Sequence, residues 1–397
     1  MKKFYQTKVI TALIIGLIWF SYAIFSIYSN SQALIEAVQG DVMTVFKRID
    51  TIVNDSVPYK MLWIESYGYM QRLLFKEEEN NFEVIMDTEN KLHYAYFAEE
   101  ANDVSEIVKA VNQLKWKLIP SKADLVVLMP LDKVIENHTQ FTEGLPYSYS
   151  NETADNFLSE LKERDINVLD FRDKVDGSGL NKSEIFFNTD HHWTIESGFW
   201  AFTELVKYLE GMGYDLDPEQ FYTDSNNYNF ITYPESYIGS MGRKTGVLYG
   251  GVDDFTVIYP KYKTDYQYAA ISPGVNIETF GRFEDALLNG YAFNLEDYDS
   301  IMNTDKYFSY LYGNQAFVSI KNNLVDNDYR VLMIKDSMSV PMASFLSTVV
   351  SELVLIDPRY YQEDITQYAH EEKFDIVLVS IYPPNLTEEF FDFNVNK

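Results

Sequence analysis

The stretch Val331-Leu332-Met333-Ile334-Lys335-Asp336-Ser337 begins as an apolar run and ends abruptly in Asp-Ser. A short apolar run bounded by polar residues is typical of a strand that is buried on both faces of a parallel sheet. Such a strand delivers the side chains that follow it to the edge of the sheet. The sequence therefore predicts a buried strand over 331–334 that presents Ser337.

Four more runs have the same character, and they alternate with helical patterns. The predicted strands are 125–129, 167–171, 331–334, 352–356 and 375–379, and the predicted helices are 104–115, 153–163, 195–210, 342–351 and 363–372. This alternation specifies a largely parallel α/β sheet flanked by helices. Residues 214–325 are dense in Tyr, Phe, Gly and Asn and show patches of strand-like alternation, so we predict a β-rich insertion there.

The N-terminus carries a run without charge over residues 9–28, which is long enough to cross roughly 30 Å of hydrocarbon. Lys2, Lys3 and Lys8 precede it, and the positive-inside rule then leaves the N-terminus in the cytoplasm. We predict a single-pass protein of the cell membrane whose C-terminal domain is extracellular. A cleaved signal peptide with a site near Ser31-Gln32-Ala33 is the alternative, although its apolar core is normally only about 7 to 15 residues long.

Three parts of the chain follow from these patterns. Residues 1–30 form a cytoplasmic stub and signal anchor, and residues 31–60 form a stalk, because their apolar residues recur at spacings of three and four as in an amphipathic helix. Residues 61–397 form the catalytic domain, including the insertion.

Composition excludes several classes of protein. The 397 residues are 46% apolar and 16% aromatic, which is enough for a large core. The chain has 60 acidic and 32 basic residues, which gives a net charge of -28. This charge repels phosphate backbones, so we predict no nucleic-acid partner. The lack of cysteine excludes disulfides, thiolate metal sites and cysteine nucleophiles, and it suits an exported bacterial protein.

The stretch Asn188-Thr189-Asp190-His191-His192-Trp193-Thr194 places two of the five histidines beside an aspartate. A serine becomes a good nucleophile when a base takes its proton and a third group fixes the base. Residues two apart in an extended segment point the same way, so Asp190 pairs with His192 rather than with His191. We predict Ser337 as nucleophile, His192 as base and Asp190 as the group that orients it, with His191 and Trp193 in support.

Other interpretations of these residues remain open. The stretch is also consistent with an ordinary helix entry, in which Thr194 caps the helix and Asp190 faces the helix dipole. Ser337 is equally suited to cap the helix that follows it. A metal site is a further reading, but adjacent histidines suit one ion badly, so we predict no metal and no cofactor.

Acyl transfer also requires hydrogen-bond donors for the developing oxyanion. Backbone N–H groups after Ser337 and the side-chain amide of Asn314 are the predicted donors. Gly313 precedes Asn314 and permits a close turn there, although a plain β-turn explains the pair as well.

Taken together, these motifs resemble the DHHW protein family, which is similar to the AlgX/AlgJ alginate O-acetylation proteins. The resemblance spans about residues 60–390 and rests on Asp190-His191-His192-Trp193, Gly239-Ser240, Arg243-Lys244, Gly313-Asn314, Asp336-Ser337 and Asp357-Pro358-Arg359-Tyr360. It implies an SGNH-hydrolase-like, flavodoxin-like fold, the Asp190–His192 catalytic pair, and supporting roles for Asp336, Arg359 and Tyr360. The chain departs from the family at Lys335, where the usual Gly-Asp-Ser block has a glycine.

The resemblance implies a membrane-anchored serine O-acetyltransferase that acts on a cell-surface or exported polysaccharide. It also implies a partner, a membrane-bound O-acyltransferase protein (MBOAT type) that supplies acetyl groups. An acetyl esterase differs only in using water as acceptor, and a non-catalytic glycan-binding envelope protein is the alternative from another class.

Overall fold

The computed structural model describes residues 2–37, 45, 48–49, 52, 57–79, 81–293 and 298–393. The chain divides into two compact units, one up to Met70 and one from Gln71 onwards. Half of the predicted stalk, residues 31–60, lies outside the described residues.

The first unit contains helices α1 (Lys2–Ser29) and α2 (Ser31–Ala37) and most of α3 (Lys60–Leu73). Within α1, the segment Gln6–Ser29 has 24 residues and a mean hydropathy of 2.2. At 1.5 Å per residue this segment is about 36 Å long, which exceeds the thickness of a bilayer core. The chain therefore has an N-terminal helix that is long and apolar enough to cross a membrane.

The second unit is built on an eight-stranded sheet, with two smaller sheets beside it. Its strands are β1 (Glu78–Glu79), β2 (Val84–Met86), β3 (Leu92–Tyr94), β4 (Asp124–Met129), β5 (Asn167–Asp170), β6 (Tyr228–Tyr237), β7 (Asp253–Pro260), β8 (Tyr266–Ser272), β9 (Val275–Gly281), β10 (Phe317–Asn322), β11 (Arg330–Lys335), β12 (Glu352–Ile356) and β13 (Ile376–Ser380). The order in the large sheet is β5-β4-β13-β11-β12-β10-β8-β9. Strands β1-β2-β3 and β6-β7 form the small sheets.

The predicted fold class is confirmed, and the sheet is mixed rather than purely parallel. The five predicted strands correspond to β4, β5, β11, β12 and β13, and all of their pairings with one another are parallel. Strand β10 pairs antiparallel with β12, and the hairpin β8–β9 extends the sheet beyond it. These three added strands come from the segment that precedes β11, so the β-rich region contributes directly to the central sheet.

Helices cover both faces of the large sheet. The remaining helices are α4 (Ser105–Leu118), α5 (Ser150–Lys162), α6 (Ile195–Gly211), α7 (Ser240–Thr245), α8 (Val247–Gly250), α9 (Phe283–Ala286), α10 (Tyr298–Asn303), α11 (Val340–Leu346) and α12 (Ile365–Glu372). Strand β11 contributes to two separate cores. Val331 and Met333 pack on the side of α6 and α11, and Leu332 and Ile334 pack on the side of α4, α5 and α12.

Helices α6 and α11 approach each other closely at Gly198. A Cβ atom at Gly198 would lie 2.9 Å from Cβ of Pro341, which is closer than real Cβ atoms approach. Helix α6 begins directly after the His192 stretch, and α11 follows Ser337. This tight crossing therefore fixes the spacing between the two halves of the candidate site.

Candidate active site

Strand β11 ends at Lys335, and a 3-10 turn over Ser337–Ser339 follows at once. Asp336 caps this turn, because its Oδ1 accepts a 3.0 Å hydrogen bond from the N–H of Met338. The serine is thus held between a buried strand and a buried helix, and its position is fixed by backbone structure on both sides.

His192 and Asp190 lie on a tight loop that precedes α6. The N–H of Phe187 donates to the carbonyl of His192 at 3.3 Å, and the N–H of Thr194 donates to the carbonyl of Ile185 at 2.8 Å. These bonds close the loop like a small hairpin. As a result, the loop is a rigid support for its side chains rather than an open connection.

The structure brings Asp190, His192 and Ser337 together. Nε2 of His192 lies 2.9 Å from Oγ of Ser337, and Nδ1 of His192 lies 2.6 Å from Oδ1 of Asp190. Nδ1 of His191 lies 3.2 Å from Oγ of Ser240 and 3.3 Å from Oδ1 of Asp190, so His191 bonds these two residues and not Ser337. This is the hydrogen-bond chain that serine catalysis requires, while the catalytic roles of the three residues stay a prediction.

Asp190 is completely buried, and its carboxylate is saturated with hydrogen bonds. Oδ1 also accepts from the N–H of His192 at 2.9 Å, and Oδ2 accepts from the N–H of Ser240 at 2.5 Å. Burial alone would raise the pKa of Asp190, but the positive charge available on His192 and His191, together with these bonds, holds it well below its usual value. Asp190 is therefore ionised at neutral pH.

Gly239 allows the close approach between Asp190 and the segment that follows β6. A Cβ atom at Gly239 would lie 2.2 Å from Cβ of Asp190. Only glycine leaves room for the carboxylate beside the Ser240 N–H, which gives a physical reason for the Gly239-Ser240 pair in the motif.

The ring of His192 lies against Tyr307. The two ring centroids are 3.9 Å apart and the planes are inclined by 15°, so the rings stack. The hydroxyl of Tyr307 donates to the carbonyl of Met338 at 2.7 Å, next to the serine. Burial raises the pKa of Tyr307 well above its usual value, so it remains a neutral donor. Tyr307 thus restrains both the imidazole and the turn that carries Ser337.

A buried lysine holds the loop from the other side. Nζ of Lys133 donates to the carbonyls of Phe187, Asn188 and Asp190 at 2.7, 3.1 and 2.7 Å. Burial lowers the pKa of Lys133 to about 7, with nearby carboxylates acting in the opposite direction. All three carbonyls would be left without this donor if the side chain were removed.

Asp253 fixes the same loop through its N–H groups. Its carboxylate accepts from the N–H of Asn188 at 2.7 Å and from the N–H and hydroxyl of Thr189 at 2.8 and 2.6 Å. The loop is therefore clamped by Lys133 on its carbonyls and by Asp253 on its amides.

The alternative interpretations of the motif can be compared with this geometry. Thr194 does cap α6, since its hydroxyl accepts from the N–H of Ser197. Asp190 does not serve that helix; it binds His192 and Ser240 instead. Asp190, His191 and His192 offer ligand atoms within 4.8 Å of one another, a spacing that a metal ion accepts, but both nitrogens of His192 already have protein partners.

Asn314, the predicted oxyanion donor, belongs to a polar network that includes Lys335 at the end of β11. Its Nδ2 donates to Oδ2 of Asp357 at 2.7 Å, and its Oδ1 accepts from the buried Nζ of Lys335. The guanidinium of Arg359 binds both oxygens of Asp357 at 3.0 and 2.7 Å. Burial lowers the pKa of Lys335 to about 8. Lys335 therefore occupies the place of the family's glycine as a partner of Asn314, and the role of Asn314 at the oxyanion stays a prediction.

The other predicted supporting residues occupy distinct places. Gly313 has a φ of +95°, so its turn requires glycine. Trp193 is buried and meets the ring of Phe171 edge-on. Tyr360 is half exposed and lies beneath the guanidinium of Arg359, whose carbon is 5.4 Å from the ring centroid.

Sequence reasoning missed Lys133, Asp253 and Tyr307. Lys133 had a signal, because it follows β4 within a short polar interruption of an apolar region, at the same sheet edge as Ser337. Asp253 and Tyr307 lie 61 and 115 positions after His192 in the numbering, and nothing local distinguishes them from other residues of the aromatic insertion.

Residues 87–228 match the family described as the SGNH hydrolase-like domain of acetyltransferase AlgX. The resemblance read from the sequence is confirmed. The matched range contains Asp190 and His192, whereas Ser337 lies beyond it. Residues 87–228 are thus similar to a domain that is described from an acetyltransferase.

Solved structures agree with this fold. Bacillus cereus PatB1 with a sulfonyl adduct has a TM-score of 0.65 and 17% identity, over 79% of this chain and 99% of that one. A DHHW family protein from Eubacterium siraeum has a TM-score of 0.58 and 17% identity, over 80% of this chain and 98% of that one. At such identities the similarity establishes the fold alone. No curated protein sequence matches the chain.

Proposed function

We propose that the protein is a serine O-acetyltransferase that transfers acetyl groups to a polysaccharide outside the cell membrane. The observation that carries this proposal is the hydrogen-bond chain from Asp190 through His192 to Ser337, with distances of 2.6 and 2.9 Å. Its presence in a fold shared with the AlgX acetyltransferase domain favours acyl transfer over other serine chemistry.

The reaction has two steps. Nε2 of His192 takes the proton of Ser337 while Oγ attacks the acetyl carbonyl, and the leaving group then departs with that proton. In the second step His192 removes a proton from a sugar hydroxyl, which attacks the acetyl-serine and releases Ser337 with the proton returned. Asp190 remains ionised throughout and stabilises the imidazolium in each step.

Labelling with a fluorophosphonate or a sulfonyl fluoride tests the nucleophile. We expect wild-type protein to be modified at Ser337, and His192→Ala to lose labelling by about 10⁴-fold or more, because the serine loses its base. His191→Ala is the matched control and should lower labelling far less, since His191 bonds Ser240 instead of the serine. Equal labelling of Ser337→Ala would exclude the proposal.

Hydrolysis of a chromogenic acetyl ester, with and without an oligosaccharide, separates transferase from esterase. The proposal predicts Ser337-dependent formation of acetylated sugar. Acetate alone, at any acceptor concentration, would assign the protein as an esterase. Turnover no greater than in Ser337→Ala would favour a glycan-binding protein.

The proposal extends to location and partner. Helix α1 would anchor the protein with its N-terminus in the cytoplasm, because Lys2, Lys3 and Lys8 lie on that side of the apolar run. The second unit would then be extracellular, where acetyl groups must be delivered across the membrane. A membrane-bound O-acyltransferase protein is the proposed supplier.

A further inference from the structure

A cavity of about 110 Å³ lies beside the candidate active site, and the chemistry described so far does not use it. This volume is several times what a single water molecule needs. Its wall includes Tyr94, Tyr96, Tyr382, His93, His191 and Asn385.

Residues of the cavity wall contact His192 and Asp336, although His192 and Ser337 do not themselves line the cavity. The ring of His191 is 3.9 Å from the ring of His192, centroid to centroid. On the other side, the N–H of Tyr382 and the side-chain amide of Asn385 each donate to Oδ2 of Asp336 at 2.8 Å. Asp336 immediately precedes Ser337, so the wall of the cavity is hydrogen-bonded to the residue next to the serine.

His93 lines this cavity and carries a hydrogen-bond acceptor. Only 3% of the residue is exposed, and its Nε2 lies 2.9 Å from Oδ2 of Asp87. Its Nδ1 has no hydrogen-bond partner among the described residues, although buried polar atoms normally have one. Burial lowers the pKa of His93 to about 4, so the ring is neutral. With Nε2–H donated to Asp87, Nδ1 can accept a hydrogen bond from a hydroxyl.

The remaining wall suits a sugar ring. Tyrosines combine an apolar face, on which the C–H groups of a sugar pack, with a hydroxyl for hydrogen bonding. Tyr96 is 52% exposed at the mouth of the cavity and is free to receive such a ring, whereas the ring of Tyr94 has Lys244 Nζ 4.7 Å from its centroid.

A larger groove of about 540 Å³ continues from the cavity and shares Asp132 and Val134 with it. The charged residues along this groove are Arg172, Lys182, Asp132, Glu136, Glu152, Asp155, Asp173 and Asp176. Both cations are already paired, Arg172 with Asp155 at 2.7 Å and Lys182 with Asp176 at 2.6 Å. The cation of the cavity itself, Lys133, is occupied by three backbone carbonyls. The groove therefore carries excess negative charge, and together with the cavity it repels carboxylates and phosphates.

We propose that this cavity is the acceptor subsite and that it takes a sugar of a glycan without carboxylate or phosphate groups. This inference rests on the proposed function. The sugar packs on Tyr96, a hydroxyl donates to His93, and the reacting hydroxyl faces His192. The ester bond to Ser337 breaks as the ester bond to the sugar forms, and the proton of the hydroxyl passes through His192 to Ser337.

The test measures how the acetyl-enzyme partitions between water and sugar in the full chain, with p-nitrophenyl acetate as donor. The acceptors are oligomers of glucose and of N-acetylglucosamine, compared with oligogalacturonate of equal length at low salt. We expect the best uncharged oligomer to be acetylated at least about tenfold faster than the uronate. Tyr96→Ala should raise the KM for that oligomer by about tenfold through loss of the packing face.

Tyr291→Ala is the matched control, because Tyr291 is 73% exposed and lies outside the cavity wall. It should keep the wild-type ratio of acetylated sugar to acetate. A preference for the uronate, or a wild-type KM in Tyr96→Ala, would overturn the subsite. Ser337-dependent acetate release with neither kind of oligomer acetylated would overturn the proposed function, because the protein would then be an esterase. Loss of the dependence on Ser337 would likewise overturn the proposed function.

Discussion

At the scale of single residues, Asp190 must accept several hydrogen bonds at once. Its two oxygens receive the N–H of His192, Nδ1–H of His192 and the N–H of Ser240. An amide has only one accepting oxygen, so Asp190→Asn must turn its NH₂ group toward one of these donors. It also cannot stabilise the imidazolium.

We therefore expect Asp190→Asn to fold and to lose about 10⁴-fold in kcat for acetyl-ester hydrolysis, as when the wrong imidazole tautomer is favoured. The measurement is kcat with a chromogenic ester, alongside circular dichroism to confirm folding. A variant that keeps wild-type kcat would show that Asp190 does not orient the base.

Asp132 gives a second prediction at this scale, because it is buried between Ser150 and the N–H of Val134. Burial raises its pKa from 3.8 to about 6, which corresponds to roughly 3 kcal/mol. The native state thus binds a proton between pH 4 and pH 6 that the unfolded state has released, so stability falls as the pH rises through this range.

Asp132→Asn removes this titration. The difference in unfolding free energy, variant minus wild type, should therefore increase from pH 4 to above pH 6 by up to about 3 kcal/mol. Urea unfolding of both proteins across this range measures it. Parallel pH profiles would show that Asp132 is ionised normally in the folded protein.

At the scale of elements, the crossing of α6 and α11 sets the distance between the two halves of the site, His192 and Ser337. Because Cβ at Gly198 would lie 2.9 Å from Cβ of Pro341, Gly198→Ala must push the helices apart. We expect it to cost about 1–3 kcal/mol of stability and to lower kcat, since the distance from His192 to Ser337 increases.

Gly211→Ala is the matched control in the same helix, because no atom of the described residues lies within 4 Å of a Cβ atom there. It should leave kcat unchanged and stabilise the helix slightly, as alanine favours helix over glycine. Thermal unfolding and kcat report both effects. Equal behaviour of the two variants would mean that the crossing does not set the site.

The sequence predicted the elements whose pattern is local. The five parallel strands are confirmed nearly at their predicted positions, because continuous apolar runs such as 331–334 report burial on both faces. It did not predict that β10 and the β8–β9 hairpin join the central sheet, since antiparallel pairing depends on register with β12 and not on the strand's own residues.

The same distinction applies to the site. The Asp190–His192 pair could be predicted because its members are two residues apart, and Ser337 could be predicted because it follows a buried strand. Lys133 and Tyr307 act on the His192 loop from distant parts of the chain, as does the helix crossing at Gly198. Contacts of this kind arise only when the chain is folded.

At the scale of the whole molecule, Gln6–Ser29 should decide where the protein resides. We expect the full chain to remain in the membrane fraction after a high-salt wash, and the chain lacking residues 1–30 to be soluble with Ser337-dependent esterase activity. N-terminal sequencing of the membrane form distinguishes an intact anchor from cleavage near Ser31. If expression of the full chain yields soluble protein whose N-terminus lies near Ser31, the anchor is contradicted.

The most direct test of the account is to trap the acetyl-enzyme. Wild-type protein mixed with a chromogenic acetyl ester is quenched in acid, digested and examined by mass spectrometry, and then chased with an uncharged oligosaccharide. The account predicts an acetyl group on the peptide containing Ser337, its absence in Ser337→Ala and His192→Ala, and its transfer to the sugar during the chase. Product formation without an acetylated Ser337, or with acetylation equal in the variants, would contradict it.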